Sequence, residues 1–330
     1  MDDYLRGLID RKLHIGQVSF TFAEIALVLF GSLLSGMIRF KMGALSSLPA
    51  DVILAILGAV FVYCVTKKAE RSAVAYCLLL LLPSFLLAGS EKRMTECLSL
   101  CFVLLFILCA WKRKGMAAAV CFAAAVFCQP AALLVLPLYL ALVHIRKIPL
   151  YGYLILAGGF VGRLFFCRMF GRGFSGIDRS VITGIANIYT LIGTGNYEAE
   201  YGKAGILLGA AALLGSLYML FQAKYEAKAE GLMEIGLFYL LLETFILPYM
   251  MPSHLRLAEV MAWLLALAGT ERKMIPAATA VSLCSFAACT HLYAADVPLP
   301  MAAFALLHGA VLLFAGSRIV SRMVRRPEHG

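Results

Sequence analysis

Apolar runs of membrane-spanning length recur along the whole chain, separated by short basic loops, and this pattern decides what the chain can fold into. Crossing about 30 Å of hydrocarbon takes a helix of about 20 apolar residues, fewer where neighbours shield it. Spans are predicted at 18–38, 48–66, 73–89, 96–111, 116–128, 130–145, 151–170, 203–223, 232–250, 257–270, 276–294 and 300–317. Composition closes off the alternatives. Of 330 residues, 62% are apolar and 15% charged, and mean hydropathy is +0.88. A soluble globule is about 45–50% apolar and about 25% charged, and it could not hide this much apolar surface. The expected fold is an all-α polytopic bundle of about 11–12 transmembrane helices.

Charge then orients the spans. With the N-terminus inside, short cytoplasmic loops collect 19 of the 29 Lys and Arg residues. These are Arg6, Arg11 and Lys12; Lys67, Lys68 and Arg71; Lys112, Arg113 and Lys114; Arg146 and Lys147; Lys224 and Lys228; Arg272 and Lys273; and Arg318, Arg322, Arg325 and Arg326. That is the positive-inside asymmetry, and it places both termini in the cytoplasm of an integral protein of the plasma membrane. The net charge of +10 therefore reports topology, and no single face collects it for nucleic acid.

Residues 1–17 read as a cytoplasmic interfacial helix, with Tyr4, Leu5, Leu8, Ile9 and Leu13 on one stripe. Residues 18–317 read as one transmembrane domain with a long outer loop at about 171–202, and 318–330 as a basic tail. The first span lacks a small-residue cleavage site and is expected to stay as an anchor. The uncharged stretch 116–144 is interrupted at Gln129-Pro130, so it forms either two half-length helices or one kinked span. All ten cysteines lie in or beside apolar runs without CxxC spacing, which suits packing rather than metal or disulfide chemistry.

Polar groups of interest fall toward the outer face. Arg39, Arg163, Arg168, Arg172, Arg179 and Arg256 put guanidinium groups where positive charge is least expected. They either snorkel to headgroups and pair with acids or grip a phosphate with their bidentate fork. Glu24, Asp51, Glu243 and Glu259 are carboxylates within apolar runs, where such groups face a bundle interior or water. His291 and His308 read as hydrogen-bonded core imidazoles.

Four stretches, in order, carry a resemblance: LPADVILAILGAVFVYCVTKK (48–68), PSFLLAGSEKRMTECLSLCF (83–102), KGMAAAVCFAAAVFCQPAALLVLPLYLAL (114–142), and IANIYTLIG (185–193) followed by LPYMMPSHLRLAEVMAWLLAL (247–267). Their order resembles the GT-C membrane glycosyltransferases, closest to bacterial relatives of the mannosyltransferases that build GPI anchors. Asp51 takes the place of the aspartate that opens the family's second span. Counting from Pro83 puts Glu96 on the family's acidic position, with Lys92, Arg93 and Met94 on its Trp-Gly-Gln. Gln129 stands for a customary lysine. Pro248 and Met250 match a late Pro-x-Met-His-Glu-Arg-Tyr start, for whose His and Arg the residues His254 and Arg256 stand in a shifted register. The segment 39–49, where the family carries an acidic first outer loop, has no Asp or Glu.

The resemblance implies transfer of a sugar, such as mannose, from a polyprenyl-phosphate donor to a glycan or protein acceptor at the outer face. Such a site needs a carboxylate base, cations for the leaving phosphate and an apolar groove for lipid. The expected catalytic acids are Glu96 and Asp178. Arg39, Arg93, Arg179 and Arg256 are expected at the phosphate, with Asn187 and His254 lining the site. No metal ligand set or cofactor is expected, and the partners are membrane lipids with, in addition, a membrane-protein partner. Two other readings stay open: an inactive GT-C-like subunit or lipid-binding partner, and a transporter, whose paired broken helices find no counterpart to Gln129-Pro130 in the second half.

Overall fold

The computed structural model describes residues 12–15, 18–87, 93–169, 184–193, 197–222, 229–269, 271, 273–293 and 300–324. The protein is an all-α helix bundle with one short hairpin at its start. The hairpin pairs β1 (Lys12–Ile15) with β2 (Val18–Thr21) antiparallel, Leu13 opposite Phe20. Residues 12–15 are thus strand, where a helix over 1–17 was expected; residues 1–11 lie outside the described residues.

Each expected span contains a helix among the described residues, although 18–21 of the first is strand β2: α1 (Phe22–Lys41), α2 (Leu48–Thr66), α3 (Ala69–Leu81) with α4 (Pro83–Leu87), α5 (Arg93–Trp111), α6 (Gly115–Cys128), α7 (Leu136–His144), α8 (Gly152–Met169), α10 (Glu198–Gln222), α11 (Ala229–Ile246), α12 (Pro252–Ala268), α13 (Met274–Tyr293) and α14 (Met301–Val324), with a short α9 (Ile188–Ile192) before α10. Eight of these, counting α3 with α4 as one, are long and apolar enough to cross a membrane. Helix starts follow local chemistry. Thr21 and Glu24 form a reciprocal capping box on α1, with the Glu24 amide donating to Thr21 Oγ1 at 3.3 Å and the Thr21 amide to Glu24 Oε2 at 2.8 Å. Prolines sit in the first turns of α2, α7 and α12, where a missing N–H costs nothing.

Basic loops gather at one end. Arg71 Nη1 donates to the carbonyls of Leu267 and Gly269 at the close of α12. Buried Glu234 accepts from Arg318 and Arg322, and Arg318 also reaches Glu271. Helix α14 therefore continues through Arg318 and Arg322 to Val324, where a tail from 318 was expected; pairing with Glu234 holds these arginines on the helix. Lys67, Arg113 and Arg146 close their helices in the left-handed conformation, φ 57–59°, their positive charges beside the negative ends of the helix dipoles.

The uncharged stretch resolves as two short helices. A Cβ on Gly115 would lie 2.4 Å from the carbonyl of Lys147, so α6 begins where α7 ends, at the basic end. Between them Gln129 is extended, φ −151°, as the residue before Pro130 must be, and a 3-10 turn (Pro130–Val135) reverses the chain. The result is a helical hairpin whose tip is Gln129, at the end opposite the basic loops. A helix end leaves carbonyls unpaired, and here Arg163 of α8 supplies the donor: its Nη1 lies 2.7 Å from Phe127 O and 2.5 Å from Cys128 O.

Candidate functional site

Opposite the basic end, the chain brings together three of the helix starts that the sequence marks. Glu96 lies in the first turn of α5, where the helix dipole favours a carboxylate. Arg256 lies in the second turn of α12. Its Nη2 donates to Glu96 Oε2, with the Arg256 side chain 5% and the Glu96 side chain 17% exposed. The guanidinium also sits 5.9 Å from the centre of the Phe85 ring, within cation–π range.

The start of α12 is set by a tight turn. Tyr249 holds φ 62°, a costly conformation for an aromatic residue, and Pro252 opens the helix. His254 Nδ1 then accepts the Met251 amide at 3.0 Å. That bond makes Nδ1 the acceptor and leaves the ring N–H on Nε2.

Glu96, Ser99, Gln129, Ser253, His254 and Arg256 share the lining of one small recess, together with apolar Leu100, Val103 and Leu257. The tip of the α6–α7 hairpin is thus the third wall. With Glu96 and Arg256 joined, the recess has room for little more than one water molecule.

The other expected residues are distributed differently. Arg39, expected at a phosphate, is fully buried. Its Nη1 donates to Asp51 Oδ2 and to Ser47 Oγ at 3.2 Å, its Nε to Ser35 Oγ at 3.0 Å, and its Nη2 to Leu80 O at 3.3 Å. It is a structural cation, because Asp51 and the carbonyl freed where α3 breaks before Pro83 take its donors. Asp51 in turn accepts from the Cys97 thiol at 2.9 Å, which ties this pair to the residue next to Glu96.

Asn187, expected to line the site, instead caps α9: its Oδ1 accepts the amides of Tyr189 at 3.1 Å and Thr190 at 3.3 Å. Segment 184–193 is held by His308, whose Nδ1 lies 3.1 Å from Ala186 O and Nε2 3.3 Å from Thr244 Oγ1. Core hydrogen bonding was the expectation for that imidazole. Helix α10 starts at Glu198, so the expected outer loop ends before 202. Asp178, Arg179 and the Arg93 side chain lie outside the described residues.

Two features of this end were not anticipated: the role of Gln129 as a wall of the recess, and the Cys97 link to Asp51. The Gln129-Pro130 break was the visible signal for the first. Among the described residues no group of three or more His, Cys, Asp or Glu side chains is placed to hold a metal ion. Comparison of the chain with protein-family models, with curated proteins and with solved structures returns no match.

Proposed function

We propose that the protein is a divergent glycosyltransferase of the GT-C kind, moving a sugar from a polyprenyl-phosphate donor to an acceptor hydroxyl on the non-cytoplasmic face of the plasma membrane. The basic end then faces the cytoplasm, by the positive-inside rule, with both termini on that side. One observation carries the reading: Glu96, Gln129, His254 and Arg256, from three distant segments, line a single recess at the end away from the basic loops.

In this reading the resting site is locked by its own ion pair. A donor phosphate competes for the Arg256 fork, which suits bidentate phosphate contact, and displaces Glu96. The freed carboxylate takes the acceptor proton as the acceptor oxygen attacks the anomeric carbon. The bond from that carbon to the phosphate oxygen breaks, and the charge left on the phosphate stays with Arg256. The two roles need each other: a carboxylate held by a guanidinium is a poor base, and a guanidinium held by a carboxylate is a poor phosphate clamp. His254, fixed by its bond to Met251, is placed to donate from Nε2.

The test is transfer of radiolabelled sugar from polyprenyl-phosphate donors by the purified full chain in detergent, with Glu96→Gln beside it. Transfer by the wild type and loss of about 10²–10⁴ in rate in the variant, the usual worth of a general base, support the proposal. No transfer from any donor, with an unchanged cellular glycan in the Glu96→Gln strain, overturns it.

A second reading is favoured by two specific observations: the acid-free segment 39–49 and the small size of the recess. The chain is then a non-catalytic GT-C-like subunit that binds lipid or an enzyme partner. It predicts co-purification with an active transferase whose activity is indifferent to Glu96→Gln.

A further inference from the structure

Helix α10 lies close against its neighbours in its first turns. A Cβ on Gly205 would lie 1.7 Å from the Tyr189 hydroxyl, and one on Gly209 2.4 Å from Leu247 Cδ2. About two turns further along α10, toward the basic end, a cleft of about 130 Å³ opens between α10, α11 and α14. Its lining comes from within 216–220, 235–239 and 316–320, about one turn of each helix. The transferase reading makes no use of it.

The cleft is apolar. Ser216 turns its hydroxyl back to Leu213 O at 3.0 Å, and Phe238 and Tyr239 meet edge to face with 5.3 Å between ring centres. Leu220, Ile235 and Tyr239 are buried and form the floor. Met219 and Val320, at the rim, are half or more exposed, on two of the helices long and apolar enough to cross a membrane. The mouth thus opens sideways, toward hydrocarbon. Apolar cavities of this size stay dry and take up apolar guests, and an empty one forfeits dispersion contacts along its walls.

Charge follows directly on the apolar turn. Glu234 precedes Ile235 on α11, and Arg322 follows Val320 by two residues on α14. Arg322 Nε lies 2.6 Å from Glu234 Oε2, yet about a third of the Arg322 side chain stays exposed. We propose that the cleft binds one acyl chain of a phospholipid from the leaflet at the basic end, with the lipid phosphate at Arg322. A phospholipid joins an apolar chain to a charged head, the same succession that the site presents along its helices. Basic groups between membrane spans recognise lipid head groups in this way, and the guanidinium fork suits a phosphate. The cleft shares no lining residue with the outer recess, so the site stands whether or not the transferase proposal does.

The experiment uses the purified full chain in dodecyl maltoside with phosphatidylcholine that carries a photoreactive diazirine midway along one acyl chain. After irradiation, the adducts are mapped by mass spectrometry. They are expected at Ile235 and Tyr239, which are buried and react only with a chain seated in the cleft. The maltoside, in large excess, brings an alkyl chain without a phosphate, so complete suppression of these adducts by it would overturn the proposal. Val320→Trp and Ser216→Leu each fill the cleft and should cut the adducts by about tenfold or more; either variant serves if the other does not fold. Leu313→Trp, on an exposed part of α14 outside the cleft, should leave them unchanged. Adducts spread evenly over exposed residues such as Leu33 and Leu154, with none at Ile235 or Tyr239, would overturn the proposal, as would full labelling in both filled variants. Disulfide capture of Met219→Cys between two chains, without lipid adducts, would assign the cleft to a second copy and also overturn it.

Discussion

Arg39 and Asp51 form an ion pair that is closed to solvent on both sides, 0% and 2% exposed, between the end of α1 and the first turn of α2. The pair fixes the corner against which Cys97 and the start of α5 rest. Removing one partner leaves a buried charge, so Arg39→Met or Asp51→Asn should each cost about 3–5 kcal/mol, read as loss of folded protein in detergent thermal unfolding. Replacing both together by Met and Leu should recover much of that loss. A double variant as unstable as the worse single one would show that the corner needs the hydrogen bonds to Ser35, Ser47 and Leu80, not merely neutrality.

The tip of the α6–α7 hairpin should depend on Arg163. Its guanidinium serves two carbonyls left without amide partners where α6 ends, and charged hydrogen bonds of this kind contribute about 1.5–3 kcal/mol. Arg163→Ala is expected to loosen the tip and raise the maleimide reactivity of Cys128 at least several-fold. Arg163→Lys, with one point charge for two acceptors, should fall between. Unchanged Cys128 labelling in the alanine variant would assign the tip's rigidity to apolar packing alone.

The spans were legible because a long apolar run is a one-dimensional signal, and each of the twelve runs holds a helix among the described residues, the first starting only at Phe22 after strand β2. The recess was partly legible: Glu96, His254 and Arg256 stood out, but the first and last lie 160 positions apart, and nothing local says that they touch. Arg39 misled because its partner depends on how α1 meets α2, which hydropathy does not encode. The first residues misled for another reason. Lys12–Ile15 fits a helical stripe, but Leu13 and Ile15, then Val18 and Phe20, also alternate with a period of two, and the pairing of β1 with β2 selected that period.

Helix α10 meets the 184–193 segment through a glycine. A Cβ on Gly205 would lie 1.7 Å from the Tyr189 hydroxyl, which itself donates to Ile246 O at 2.6 Å. Gly205→Ala must push α10 off Tyr189 and Pro248, at about 1–3 kcal/mol. Tyr189→Phe removes the clashing oxygen, so the double variant should be more stable than the two separate losses sum to, a coupling that a double-mutant cycle measures. Strict additivity would mean that α10 shifts as a body and does not contact Tyr189 in solution.

At the basic end, acid should weaken the Arg318 network. Hydrogen bonding to Arg318, opposed only in part by desolvation, holds the Glu271 carboxyl below its ordinary value. A depressed carboxylate contributes stability above its unfolded pKa, and the contribution is lost as pH falls through the folded one. Melting of the wild type should therefore drop more steeply than that of Glu271→Gln below about pH 4.5, the ordinary carboxylate range. The effect will be small, since Glu271 is half exposed, and identical acid slopes would remove Glu271 from the network.

The ion pair at the recess makes the sharpest prediction, because it separates binding from chemistry. If Glu96 and a phosphate compete for the same guanidinium, neutralising Glu96 should tighten the binding of a non-reactive polyprenyl phosphate while abolishing transfer. Arg256→Met should weaken that binding by tenfold or more, a step of about 1.4 kcal/mol, and abolish transfer as well. Arg256→Lys should keep part of the binding, as a point charge without the planar fork. Equilibrium binding of the lipid phosphate to the three variants in detergent gives the order Glu96→Gln tightest, wild type next and Arg256→Met weakest. If Glu96→Gln instead binds the phosphate no better than the wild type, the two groups do not compete, and Glu96 is only a structural partner of Arg256.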